Sequence, residues 1–134
     1  MIIEWNESYS VGVKQIDEEH KTIFSLINRL STAISENKGK EVLGDVLLEL
    51  KAYTVTHFQT EENLMKEKGF VGYDAHKAEH DDLIEQVVDL HERFASDVKV
   101  LNVEVIGFLV SWLNNHIAVT DKSYTSFFNA MGIE

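Results

Sequence analysis

Apolar residues recur along this chain at alternating steps of three and four, the spacing that places side chains on one face of an α-helix. Leu43, Leu47 and Leu50 show this rhythm, and it returns after Gly72. The pattern predicts four amphipathic helices, at about residues 18–36, 40–67, 74–96 and 102–118. We therefore expect an all-α fold.

The ends of these stretches carry residues that commonly start or stop helices. Asp17 is a plausible N-cap for the first helix. The turn Asn37-Lys38-Gly39-Lys40 ends that helix, and the second helix should stop near Gly69. Each predicted helix is thus separated from the next by a short connection.

Short connections favour antiparallel neighbours and an up-down-up-down four-helix bundle. An irregular arm at about residues 1–16 precedes the bundle, and we expect Trp5 and Tyr9 to hold it against the body. The sequence contains no repeat or interdomain linker, so one domain should span residues 1–134. In such a bundle, the starts of odd-numbered helices and the ends of even-numbered helices lie at the same end.

At the end of the predicted bundle where odd-numbered helices start and even-numbered helices finish, polar side chains occupy positions of the apolar stripes. Buried polar groups are costly unless they are paired or bind a metal ion. His57 and Glu61 lie four residues apart, as do His76 and His80, so each pair shares a helix face. The bundle would bring together seven candidate metal ligands: His20, His57, Glu61, His76, His80, His116 and Asp121.

One step in this set does not fit a regular helix. His116 and Asp121 are five residues apart, which corresponds to roughly 140° around a helix axis. Both side chains can reach one site only if the fourth helix loosens, bulges or ends between them. We expect an irregularity around Ala118 to Asp121.

The ligand chemistry indicates which metals could bind. Imidazole and carboxylate together suit iron, manganese or zinc, whereas calcium and magnesium prefer oxygen ligands. Seven ligands are too many for one tetrahedral zinc ion. The set fits two metal ions with bridging carboxylates.

Four motifs carry a specific resemblance at this point: His20, His57-x-x-x-Glu61, His76-x-x-x-His80 and His116-x-x-x-x-Asp121. Together with the segment Trp112-Leu113-Asn114-Asn115-His116-Ile117, they make the chain similar to single-domain bacterial members of the hemerythrin family over nearly its whole length. The resemblance implies a four-helix bundle with a non-haem di-iron centre that binds O2 reversibly.

The resemblance also implies a role for each ligand. One iron ion would be held by His76, His80 and His116, and the other by His20 and His57. Glu61 and Asp121 would bridge the two ions, together with an oxo or hydroxo group from solvent. When the positions of two six-coordinate ions are counted, this set leaves one position free, on the ion with two histidines. O2 should bind there.

Apolar residues near the candidate ligands would form the wall of an O2 pocket. Trp112 and Leu113 lie four and three residues before His116 and can cover the same face, and the family resemblance places the Leu113 position in the pocket. Phe24 and Phe58 would add to this wall. All four residues also serve as ordinary core residues, and the two roles are compatible.

Composition and charge narrow the class of partner. The formal net charge of −11 argues against nucleic acid as a partner, because phosphate binding needs clustered Lys and Arg. No apolar run reaches membrane-spanning length and no signal-peptide pattern occurs, so we expect neither membrane insertion nor secretion. The absence of cysteine excludes thiolate metal sites and is compatible with a cytoplasmic location.

Some residues near the motifs invite other interpretations. The stretch His76-Lys77-Ala78-Glu79-His80 matches the H-x-x-E-H pattern of a metalloprotease class, but that pattern would leave the other ligand candidates unexplained, so we interpret Glu79 as a solvated helix residue. Glu62 could be a partner of a ligand or simply exposed. His91 lies roughly 16 Å along the helix from His80 and should be structural or exposed.

The ligands alone leave the activity open between three classes. An oxygen carrier, store or scavenger is favoured, because no substrate-binding motif or acid–base pair is present and no attached signalling domain of the kind found in the family's sensors is seen. A di-iron oxidase, peroxidase or NO-handling enzyme would use the same ligands. An O2 sensor or delivery protein acting through a partner is the third alternative.

Overall fold

The computed structural model describes residues 2–134, and helices dominate it. The bundle consists of α1 (Lys14–Ser35), α2 (Lys40–Lys68), α3 (Tyr73–Ser96) and α4 (Val103–Asn115). A π-helical turn (His116–Thr120), a 3₁₀ turn (Asp121–Tyr124) and the short α5 (Thr125–Ala130) follow. Residues 2–134 contain no strand, so the prediction of an all-α four-helix bundle is confirmed.

The four long helices pack around one apolar core. Helix α1 contacts α2 and α4, and α2 contacts α3. Each helix buries the stripe that the three-and-four spacing marks, with Ile27, Leu47, Leu83 and Leu109 among the residues fully inside. Burying one such side chain contributes about 1.5–3 kcal/mol, so the stripes themselves hold the helices together.

Helix α1 begins earlier than the sequence predicts. Its N-cap is Val13, and Asp17 lies inside the first turn, so the prediction of an Asp17 cap was wrong. The Asp17 carboxylate instead accepts hydrogen bonds from the Ser10 hydroxyl at 2.6 Å and the Val11 backbone N–H at 2.9 Å. Asp17 therefore fixes the arm to α1 and leaves the helix end uncapped by a side chain.

The arm is held against the bundle as expected. Tyr9 packs edge-on against Phe24 with ring centroids 5.1 Å apart, and its hydroxyl donates to Asn114 at 2.9 Å. The Lys21 ammonium lies 4.4 Å above the ring of Trp5. The arm thus joins α1 to the end of α4, beside the π-helical turn.

The other helix ends follow the local sequence more closely. Gly69 ends α2 in the left-handed conformation with φ 72°, which glycine adopts without a steric penalty. The Asn102 side chain caps α4 by accepting from the Val105 N–H at 3.1 Å. The helical path continues beyond the predicted end of the fourth helix, because the π-helical turn and α5 extend it to Ala130.

Within residues 2–134, no helix combines the length and the apolar character that crossing a bilayer requires.

Candidate metal centre

The structure brings all seven candidate ligands to one end of the bundle. His20 lies near the start of α1, and His57 and Glu61 lie late in α2. His76 and His80 lie early in α3, and His116 opens the π-helical turn after α4. Each of the seven side chains is exposed by 2% or less. This convergence requires antiparallel neighbours, as the up-down-up-down topology provides.

The ligand atoms form two groups that share Glu61. The larger group contains Glu61, His76, His80, His116 and Asp121, and the smaller contains His20, His57 and Glu61. Within each group, one ligand atom per residue lies within 4.8 Å of all the others. Two adjacent clusters with a common carboxylate are the geometry that a two-metal site requires.

Asp121 spans the same two groups. Its Oδ1 lies 2.8 Å from His76 Nε2 and 3.0 Å from His116 Nε2, whereas Oδ2 lies 3.1 Å from His20 Nε2. One oxygen therefore faces the three-histidine group, and the other faces the two-histidine group. A carboxylate so placed can bridge two cations.

The π-helical turn explains how His116 and Asp121 share one site. The Asp121 N–H donates to the His116 carbonyl, a hydrogen bond that skips five residues instead of four. The wider turn brings residues five apart onto the same side, which a regular α-helix cannot do. The predicted irregularity between Ala118 and Asp121 is confirmed.

Several polar atoms at this site are buried without a hydrogen-bond partner. They are His20 Nδ1, His57 Nε2, Glu61 Oε1, both ring nitrogens of His76 and both carboxylate oxygens of Asp121. Two pairs of these atoms lie about 3 Å apart without the alignment of a hydrogen bond: His57 Nε2 is 2.9 Å from Glu61 Oε1, and His76 Nε2 is 2.8 Å from Asp121 Oδ1. Buried nitrogen and oxygen atoms that lack hydrogen-bond partners fit a site for metal cations, because unpaired burial would otherwise be costly.

Three glutamates orient three of the histidines from outside. His57 Nδ1 donates to Glu19 at 2.7 Å, His80 Nδ1 to Glu62 at 2.9 Å, and His116 Nδ1 to Glu79 at 2.9 Å. Each bond fixes the tautomer that leaves Nε2 free to face the centre, as in the carboxylate–histidine pairs of known metal sites.

These three glutamates share a position in the sequence, although the ligand spacing predicted no partner role for Glu19 or Glu79 and left that of Glu62 open. Each is the immediate neighbour of a candidate ligand: Glu19 precedes His20, Glu62 follows Glu61, and Glu79 precedes His80. Each carboxylate reaches a histidine of the next element along the chain: from α1 to α2, from α2 to α3, and from α3 to the π-helical turn after α4. An acidic residue adjacent to a ligand was therefore the signal that could have found them.

Two interpretations of individual glutamates change accordingly. Glu79 was expected to be a solvated helix residue; its side chain is 40% exposed, but its carboxylate accepts from both the His116 ring and the Thr120 hydroxyl and is therefore not a free surface group. Glu62, whose role the sequence left open, is buried and pairs with His80. Burial raises the pKa of Glu62 above its usual value.

A buried tyrosine holds the shared carboxylate. The Tyr124 hydroxyl donates to Glu61 Oε2, and its ring stacks on His76 with centroids 5.6 Å apart. The other oxygen, Oε1, lies 2.9 Å from His57 Nε2 and 3.5 Å from His80 Nε2, one histidine from each group. Burial raises the pKa of Tyr124 well above its usual value, so the hydroxyl keeps its proton and stays a donor.

Neighbouring charges shift the pKa values of the buried histidines in opposite directions. Burial lowers the pKa of His57, but the negative charge of Glu61 and the hydrogen bond to Glu19 outweigh it and raise the pKa to about 10. Burial likewise lowers the pKa of His116, but the negative charge of Asp121 and the hydrogen bond to Glu79 outweigh it and raise the pKa to about 9. A metal ion must displace a proton from each ring, because only an unprotonated nitrogen coordinates.

The remaining histidine and aspartate shifts follow from the same neighbours. Burial, followed by the charges of His116 and His76, lowers the pKa of His80 to about 2. Burial disfavours the Asp121 anion, but the adjacent His116 holds its pKa well below the usual range. The site therefore keeps Asp121 ionised and His80 neutral, the states in which both can act as ligands.

Apolar rings cover part of the site. Phe58 stacks on His80 with centroids 3.7 Å apart and planes 1° from parallel, and Trp112 stacks on His116 at 4.5 Å. Phe58 also lies 5.9 Å from the ring of His57, on the side of the smaller group. Leu113 and Phe24 are buried in the core. Of the four expected pocket residues, Phe58 and Trp112 directly contact the candidate ligands.

The sixth histidine stays apart from the centre, as expected. His91 lies late in α3 and borders a surface groove together with Phe94 and Lys40. It belongs to neither ligand group within residues 2–134.

Comparisons with known proteins agree with this geometry. A family model described as "Hemerythrin HHE cation binding domain" matches residues 11–127, a range that contains all seven candidates. The bacteriohemerythrin of Methylococcus capsulatus is 37% identical over 125 residues, covering 92% of this chain and 94% of the relative. That of Clostridium acetobutylicum is 29% identical over 125 residues, covering 90% and 96%. A crystal structure of wild-type hemerythrin matches with a TM-score of 0.88 and 35% identity, covering 94% of this chain and 97% of that one.

Proposed function

Because the chain belongs to the hemerythrin family, we propose that it binds O2 reversibly at a non-haem di-iron centre formed by the seven converging ligands. The observation that carries this proposal is the pair of ligand groups sharing Glu61, with buried nitrogen and oxygen atoms that lack hydrogen-bond partners. Two ferrous ions bound there would supply the electrons that O2 accepts when it binds.

We assign the ligands by their groups. His76, His80 and His116 would hold one iron ion, and His20 and His57 the other. Asp121 would bridge through its two oxygens, which face different groups, and Glu61 would bridge from between His57 and His80. Zinc would suit a smaller ligand set, because its sites in proteins are usually tetrahedral.

The chain's own residues favour binding over turnover. Phe58 and Trp112 stack directly on ligand rings and exclude water from that side. The charged partners of the histidines, Glu19 and Glu62, are occupied by hydrogen bonds to the rings. A group held in this way is poorly placed to exchange protons with a bound substrate. We therefore propose a carrier, store or scavenger, with oxidase or peroxidase activity at most a side reaction.

Metal analysis combined with oxygen uptake tests this function. Protein loaded anaerobically with ferrous iron should hold two iron ions per chain and take up one O2 per pair. His91→Ala is the matched control, since His91 lies outside both groups, and it should leave both values unchanged. One zinc ion per chain, or iron without O2 uptake, would overturn the proposal.

A further inference from the structure

Thr120 occupies the last position of the π-helical turn, directly before Asp121. Its side chain is not among the candidate ligands, yet its hydroxyl points at the carboxylate that orients one of them. We propose that Thr120 is a positioning residue, which acts through Glu79 to lock the His116 ring and the π-helical turn into the geometry that the metal centre requires. This inference rests on the proposed di-iron function.

His116 and Thr120 both donate to the Glu79 carboxylate, and we call this three-residue arrangement the clamp. Glu79 Oε1 accepts from His116 Nδ1 at 2.9 Å and from the Thr120 hydroxyl at 2.9 Å, and the same hydroxyl lies 3.1 Å from Oε2. The Glu79 carboxylate cannot rotate toward solvent without leaving both partners. The two ends of the π-helical turn, His116 and Thr120, are thereby tied to one residue of α3.

The Glu79 side chain is the most exposed of the three glutamates that pair with candidate ligands. The side chains of Glu19 and Glu62 are exposed by 18% and 11%, whereas that of Glu79 is exposed by 40%. A glutamate that is open to water gains little from an ion pair, because solvent screens the charge and ordering the flexible chain costs entropy. Thr120 is β-branched and stiff, so its hydroxyl holds the carboxylate at low entropic cost.

The clamp also bears on Asp121. The π-helical turn is held internally by the bond from the Asp121 N–H to the His116 carbonyl. If the turn relaxed to a regular helix, residues five apart would separate by roughly 140° around the axis. Asp121 Oδ1 could then no longer lie 3.0 Å from His116 Nε2. Anchoring the end of the turn to α3 opposes this relaxation.

Thr120→Val removes the hydroxyl and keeps the shape, and Thr120→Ser restores the hydroxyl. Thr32→Val is the matched control, because Thr32 is an exposed residue of α1 in its second half, away from the ligand His20. The first readout is hydrogen–deuterium exchange of the 116–121 amides in the metal-free protein. The second is the rate at which anaerobic, ferrous-loaded protein loses iron to a chelator.

We expect faster amide exchange at 116–121 and roughly 10-fold faster iron loss in Thr120→Val, the low end of the effect of outer partners on metal affinity. Thr120→Ser should recover both, and Thr32→Val should match the unmodified chain. Equal exchange and iron loss in Thr120→Val, or failure of Thr120→Ser to recover, would overturn the clamp. If the unmodified chain holds no ferrous iron, the proposed function itself fails, whereas equal variants on an iron-binding chain refute only the clamp.

Discussion

His57 Nδ1 lies 2.7 Å from Glu19 Oε1, so a candidate ligand on α2 is oriented by the residue that directly precedes a candidate ligand on α1. The hydrogen bond leaves His57 Nε2 facing Glu61 Oε1 at 2.9 Å, inside the smaller ligand group. The same arrangement recurs for Glu62 with His80 and for Glu79 with His116. Neighbouring elements of the bundle are therefore connected by hydrogen bonds between these glutamates and the candidate ligand histidines.

Glu19→Gln should weaken the hold on the metal of the smaller group. The amide can still accept from His57, but it loses the negative charge that raises the basicity of the ring. We expect metal affinity to fall by roughly 10-fold or more, measured by competition with a chelator. Glu18→Gln is the control, because Glu18 is exposed and pairs with Lys21 on the surface. Equal losses in both variants would refute this role for Glu19.

His57→Ala should remove one metal ion and keep the other. His57 and His20 supply the histidines of the smaller group, whereas the three-histidine group would remain complete. Metal analysis after loading with ferrous iron should show about one ion per chain, and O2 uptake should be lost because the open position belongs to the missing ion. A variant that still took up O2 normally would show that the assignment of O2 to this side is wrong.

Tyr124→Phe should destabilise the chain by about 1–3 kcal/mol, the cost of leaving a buried charged acceptor without its donor. Tyr124 is fully buried, and its hydroxyl donates to Glu61. Urea unfolding of the metal-free protein measures the effect. Tyr53→Phe is the comparison, because Tyr53 is only half-buried, and it should change the free energy of unfolding by less. Equal changes in both variants would argue against the Tyr124–Glu61 bond.

The metal-free protein should lose stability as the pH rises above neutrality. In the folded chain the pKa of His57 is raised to about 10 and that of His116 to about 9, compared with about 6.5 for an unfolded histidine. Their contribution is complete below pH about 6.5 and disappears as the pH passes through about 9 to 10. His80, with its lowered pKa, is neutral in both states over this range and adds no slope.

Thermal unfolding at a series of pH values tests this expectation. The melting temperature of the metal-free chain should fall between pH about 7 and 10. His91→Ala should show the same fall, because His91 is not part of the cluster. A melting temperature that is constant or rises across this range would contradict the proposed proton-binding cluster.

Phe58→Leu should shorten the life of the oxygenated protein. Phe58 stacks on His80 and lies beside His57, so it closes the site against water on that side. The smaller, flexible leucine would admit water and speed decay of the oxygenated absorption band. Phe108→Leu, a change of the same kind at an exposed residue of α4, should decay like the unmodified chain. An unchanged decay in Phe58→Leu would remove Phe58 from the pocket wall.

The sequence predicts the helices and the convergence of the candidate ligands because both follow from spacing along one helix. Residues at steps of three and four share a face, and the five-residue step from His116 to Asp121 indicates a bulge that the π-helical turn supplies. The sequence did not predict where α1 begins or what Asp17 does. Ser10 and Val11 of the arm fold back and donate hydrogen bonds to the Asp17 carboxylate, so it does not cap the helix.

The outer partners of the histidines were harder to predict for a physical reason. Glu19 and Glu79 lie on helix positions that a single amphipathic pattern marks as solvent-facing, and only the rotation of neighbouring helices turns them toward His57 and His116. Tyr124 lies beyond the predicted end of the fourth helix. The π-helical turn extends the helical path, so that the Tyr124 hydroxyl can donate to Glu61. Such contacts depend on how two elements are placed relative to one another. The spacing of residues within one element carries no information about that placement.

Reversible oxygenation tests the central claim most directly. Protein loaded anaerobically with ferrous iron is exposed to O2, flushed with argon and exposed again, while its visible absorption is recorded. A di-iron centre that binds O2 reversibly should give a charge-transfer band that appears with O2, disappears under argon and returns with undiminished intensity. No band, or a band that bleaches irreversibly after the first exposure, would contradict it.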